Sequence, residues 1–79
     1  MSKMEMYKKA FMETFEVSES QLNGLVYQAI PLWDSVGHMA LIAVLEQSFD
    51  IMMETDDIIN FSSFEKGMDI LSKNYEIAF

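Results

Sequence analysis

Ser35 and His38 are the only residues in this chain whose types and spacing suggest nucleophilic chemistry. Three residues apart, they fall on one face if the segment is helical, which is the arrangement a hydroxyl and its base require. A serine nucleophile also needs an oriented base, an oxyanion hole and a pocket that excludes water. Seventy-nine residues with one histidine, no cysteine and no arginine hold too little for all three. Nor do Glu54, Asp56 and Asp57 follow the regular oxygen-ligand spacing of a calcium loop. The chain is therefore not expected to be an enzyme. Two roles remain for Ser35: a helix cap, or a hydroxyl that another protein modifies.

The elements that would position Ser35 can be read from periodicity. The residue before a proline avoids the helical region, so Ile30-Pro31 closes a loop and Asp34-Ser35 stands where a helix starts. That second helix runs from about Ser35 to Phe49, with Leu41, Ile42, Leu45 and Phe49 as its core stripe. Its opposite side carries Val36, Met39, Ala40, Ala43 and Gln47, almost without charge. Either the preceding loop covers that face or it is a docking surface. Gly37 in the first turn weakens the helix by up to about 1 kcal/mol relative to alanine, which points to something approaching closely.

Before it, residues 3–15 form a first helix on the stripe Met4, Tyr7, Phe11 and Phe15. A long loop follows to Trp33, with one helical turn expected at Ser18–Gln21 and a turn at Asn23-Gly24. Its apolar residues Leu25, Val26, Tyr27 and Ile30 predict that it packs across the core. A short third helix is expected over 54–60, capped by Thr55, with Ile58 and Ile59 pointing inward. Ser62 with Glu65 forms a capping box for a fourth helix on the stripe Phe64, Met68, Leu71 and Tyr75. Residues 76–79 are expected to fray. The fold class is all-α: one domain, a small bundle of three main helices plus one short one.

Charge narrows the partners. With thirteen acids against five lysines, the net charge is −8. Nucleic acids are bound by neutralising phosphates, so they are excluded, and an anionic membrane surface is disfavoured. No run approaches the roughly 18 apolar residues that span a bilayer, and no secretory signal is evident. A cytoplasmic monomer that meets proteins with basic patches is expected.

Asp34-Ser35-Val36 at the start of the second helix resembles the Asp-Ser-Leu attachment motif of acyl carrier proteins. The resemblance continues through Leu41, Leu45-Glu46 and Phe49-Asp50. It extends to the acidic Asp56-Asp57-Ile58 and to Phe61-Ser62-Ser63-Phe64, covering about residues 30–71. It implies that a phosphopantetheinyl transferase attaches 4′-phosphopantetheine from coenzyme A to Ser35. The arm's thiol then carries acyl or aminoacyl groups as thioesters between loading and acyl-transferring enzymes. By the same resemblance Asp34 serves recognition by the transferase and Val36 and Met39 make apolar partner contacts. Glu46, Asp50, Glu54, Asp56 and Asp57 form an acidic rim. Ala40 and Gln47 stand where fatty-acid carriers usually have acids, and Trp33 and His38 flank the serine. These departures suggest a carrier dedicated to a particular pathway. Leu32-Trp33 replaces the Gly-Gly common in peptidyl carriers. The alternative is a small acidic interaction module in which Ser35 is only a cap.

Overall fold

The computed structural model describes residues 1–79 and is all-helical. Helix α1 spans Lys3–Phe15, α2 Ser35–Phe49, α3 Thr55–Asn60 and α4 Phe64–Tyr75, with one 3-10 turn at Glu19–Gln21. The sixteen buried apolar residues make one cluster, and no buried charged or polar side chain interrupts it. Aromatic rings dominate it because so short a chain needs large side chains to exclude water. Tyr7, Phe11 and Phe15 from α1 meet Trp33, Phe61 and Phe64 at centroid distances of 5.0 to 6.5 Å. Tyr7 buries its ring and still donates from its hydroxyl to the Phe64 carbonyl at 2.6 Å. Burial pushes that phenol far above its usual titration range, so it remains a donor at any ordinary pH.

Two helices start with a serine cap. Ser2 and Glu5 form a reciprocal capping box on α1. At α4 the cap is Ser63, which accepts from Lys66 N at 2.9 Å, and not the expected Ser62. Glu65 is thereby released to accept from Gly24 N at 3.0 Å, which ties the loop turn to α4. For α3 the cap position falls to Glu54, without a side-chain bond, and Thr55 is already helical.

The helix ends overturn one expectation. The residues that follow α1 and α2, Glu16 and Asp50, adopt left-handed backbone. The next residue in each case, Val17 or Ile51, then donates its N–H back to Met12 or Glu46. This is the Schellman closure, in which an apolar residue after the cap folds back onto the helix. At α4 the closure is one residue wider: Glu76 and Ile77 both donate to the Leu71 carbonyl. Ile77 is buried as a result, and Phe79 reaches the Tyr7 and Phe49 rings. In place of the expected fraying of 76–79, Ile77 and Phe79 fold back onto the core, while Glu76 and Ala78 stay exposed.

The long loop is fastened at both ends of its apolar run. Tyr27 N donates to Ser62 O and Phe64 N to Leu25 O, each at 2.9 Å. These bonds pair the loop with the α3–α4 junction as an isolated bridge without forming a strand. Leu25 is buried, whereas Val26 on the other side of this extended segment faces solvent. Further along, the loop lays the Leu32 carbonyl against Gly37, where an added Cβ would stand 1.8 Å from the oxygen. The glycine in the first turn of α2 is thus required by a close approach of backbone, as its sequence position suggested.

Candidate functional site

Asp34, not Ser35, caps α2. Its backbone is extended and its carboxylate accepts from Gly37 N at 2.8 Å. Ser35 is the first helical residue and is exposed, its hydroxyl outside the cap. The N–H groups of the first turn lie at the positive end of a fifteen-residue helix, where a bound anion is favoured. Replacing Asp34 by alanine should cost about 0.5–2 kcal/mol of stability, and Asp34→Asn only a few tenths. Thermal unfolding of the two variants checks this; equal melting points for Asp34→Ala and wild type would contradict the assigned cap.

A cavity of about 350 Å³ opens beside Ser35, between α2 and α3. Tyr27, His38, Met39, Ile58, Ile59 and Phe61 line it, with Ser35 at its edge. Its size is at the lower end of the range for small-molecule sites. The expectation that Ile59 points inward fails. At 71 % exposure it stands on the outer wall of this cavity, because a six-residue helix can present only one side to the core, and Ile58 occupies it.

His38 faces inward as a hydrogen-bonded bridge. Nδ1 accepts from the indole N–H of Trp33 at 3.0 Å, and Nε2 lies 2.8 Å from the Ile58 carbonyl. With both nitrogens occupied, the imidazole is engaged in the fold.

The uncharged side of α2 is not covered by the loop. Val36 is 77 % and Met39 52 % exposed, and Ala40, Ala43 and Gln47 are also open to solvent. Asp50, just after α2, and Glu54 and Asp56 at the start of α3 are exposed acids. Two acids of the expected rim have structural bonds instead. The Glu46 carboxylate accepts from Met53 N at 2.9 Å, closing the turn after α2. Asp57 accepts from Tyr75 Oη at 2.7 Å and from Asn74 at 2.9 Å, joining α3 to α4. Desolvation first, and then the bond to Asp57, raise the Tyr75 phenol above its usual value and keep it a donor. No lysine lies on α2 or α3, so the carboxylates are the only charged side chains these two helices contribute apart from any charge on His38.

No group of side chains is arranged to hold a metal ion, and no helix is long and apolar enough to cross a membrane. Comparison with protein-family models, with curated proteins and with solved structures finds no match.

Proposed function

We propose that this chain is an acyl carrier protein in which Ser35 bears 4′-phosphopantetheine. One observation carries the reading. Because Asp34 takes the cap, the Ser35 hydroxyl stands free and exposed at a helix N-terminus, beside an apolar cavity. If Ser35 served only as a cap, it would hold the bond that Asp34 holds.

The residues present suit the group. Ser35 offers an accessible oxygen for a phosphodiester, and the amide groups of the first turn favour that anion. The arm would supply a thiol that holds an acyl group as a thioester, the one reactive sulfur in a chain without cysteine. Val36 and Met39 offer apolar contacts to the enzymes that attach the arm and load it. Asp50, Glu54 and Asp56 steer the basic surfaces of those enzymes toward α2 and α3. The near-neutral face of α2 favours a pathway-dedicated carrier over a general fatty-acid one. The partners are a phosphopantetheinyl transferase and the enzymes that load and remove acyl or aminoacyl groups. They are expected to meet a monomer in the cytoplasm.

Co-expression with a broad-specificity phosphopantetheinyl transferase, followed by intact mass measurement, tests the proposal. Wild type should gain the mass of one arm and Ser35→Ala should gain none. An unmodified wild type, or an arm that persists in Ser35→Ala, would leave the interaction module as the better reading. Ser35→Ala should fold as well as wild type, since the cap bond belongs to Asp34.

A further inference from the structure

The indole N–H of Trp33 can only donate, and it is directed at His38 Nδ1 from a fully buried ring. Nδ1 must therefore accept, which places the imidazole proton on Nε2, where it donates to the Ile58 carbonyl. One neutral ring thus joins the loop that delivers Ser35 to the helix that walls the far side of the cavity. The imidazole lies nearly parallel to the indole, at 12°, and Tyr27 and Phe61 approach at about 71° each.

Histidine is the side chain that ordinarily changes charge between about pH 5 and 8. A proton arriving on Nδ1 would turn that nitrogen into a donor facing the indole N–H, and the bond between them would be lost. The Nε2–H bond to Ile58 would survive and gain charge assistance. The break therefore falls on the loop side alone. We propose that His38 is a proton-operated clasp. Neutral, it binds Trp33 on one side and Ile58 on the other; protonated, it releases Trp33 and loosens the loop ahead of Ser35 while still holding α3.

The surroundings leave little to offset such a change. From the loop, the Tyr27 ring lies against the imidazole at 5.4 Å between centroids. The Asp34 carboxylate on the same helix is engaged with Gly37 N, and α3 turns Asp57 toward Asn74 and Tyr75 of α4. No carboxylate forms an ion pair with His38, since both ion pairs of the molecule involve lysines elsewhere. The consequence for a prosthetic arm rests on the carrier reading of Ser35, whereas the clasp itself does not.

Trp33 is the only tryptophan, so its indole N–H gives a single amide-type resonance in an NMR spectrum of the full, unmodified chain. As the pH is lowered across the range in which the chain stays folded, that resonance should move in step with the ring protons of His38 and exchange faster with solvent. The Ser35 and Gly37 amides should shift with it. In His38→Gln an amide oxygen can accept from Trp33 and an amide N–H can donate to Ile58, with no proton to gain. That variant should keep the indole resonance fixed over the same range. An indole resonance indifferent to His38 titration, a His38 ring that stays neutral throughout, or an equal shift in His38→Gln would each overturn the clasp. Should His38→Gln fail to fold, the wild-type titration decides alone. Loss of the mass increase with the indole titration intact would retire the carrier and leave the clasp; the reverse would retire only the clasp.

Discussion

Gly37→Ala is expected to destabilise the domain by up to about 2 kcal/mol net, an overpacking cost of about 1–3 kcal/mol less the gain from the better helix former. The two effects oppose each other, and their sizes decide the sign. Helix propensity favours alanine by roughly 1 kcal/mol. Against that, the new Cβ would stand 1.8 Å from the Leu32 carbonyl oxygen and 3.3 Å from the Phe15 ring. The oxygen is backbone, so the conflict cannot be relieved by turning a side chain. Either the loop from Ile30 to Trp33 is lifted from α2 or the first turn of α2 shifts. Both displace Ser35. Denaturant unfolding should show the loss, and in a domain of this size each kcal/mol lowers the melting temperature by roughly 4–8 °C. A Gly37→Ala protein more stable than wild type would show that the loop does not press on the helix there.

Trp33→Ala should be the most damaging single substitution at the site, costing about 3–5 kcal/mol. Domains are stable by only about 5–15 kcal/mol in total, so this variant should be close to unfolded at 37 °C. The indole is fully buried, stacked at 5.1 Å on Phe15, and set edge-on to Phe11 and Tyr27. Its N–H holds His38, so removing it opens a cavity and also leaves the Nδ1 acceptor of His38 without its partner. Trp33→Phe separates the two contributions: it keeps most of the packing and loses the hydrogen bond. Circular dichroism and thermal melts should rank wild type above Trp33→Phe and Trp33→Phe above Trp33→Ala. If Trp33→Ala melted like wild type, Trp33 could not be the anchor of this loop.

Both predictions concern the segment that delivers Ser35, and they show how such a segment is held. Local turns shape this connection, with Leu25 N donating to Leu22 O, Ala29 N to Val26 O and Gln28 N to Trp33 O. Here it is tied by the backbone pairing of residues 25–27 with residues 62–64, by Glu65 at Gly24, and by Trp33 in the aromatic core. Trp33, two residues before the serine, is buried, whereas Asp34, Ser35 and Val36 are exposed.

Several features were determined by the sequence alone. The stripes Tyr7–Phe11–Phe15 and Leu41–Ile42–Leu45 set the extents of α1 and α2, because only one helical phase buries them together. Pro31, the acid and serine that follow it, and Gly37 located the start of α2 and the close approach there. The tertiary structure decided what local pattern leaves ambiguous. The spacing to Glu65 favours Ser62 as the cap in sequence; in the structure residues 25–27 bond to residues 62–64 and the cap is Ser63. Ile58 and Ile59 are adjacent and alike, and only the position of α3 over His38 sends one inward. The isoleucine after Glu76 carried a legible signal, since an apolar residue beyond a left-handed cap folds back onto its helix. Asp34 and Ser35 could each have capped α2. That choice depends on backbone angles imposed by burying Trp33 and seating Leu32 on Gly37, contacts that no local pattern contains.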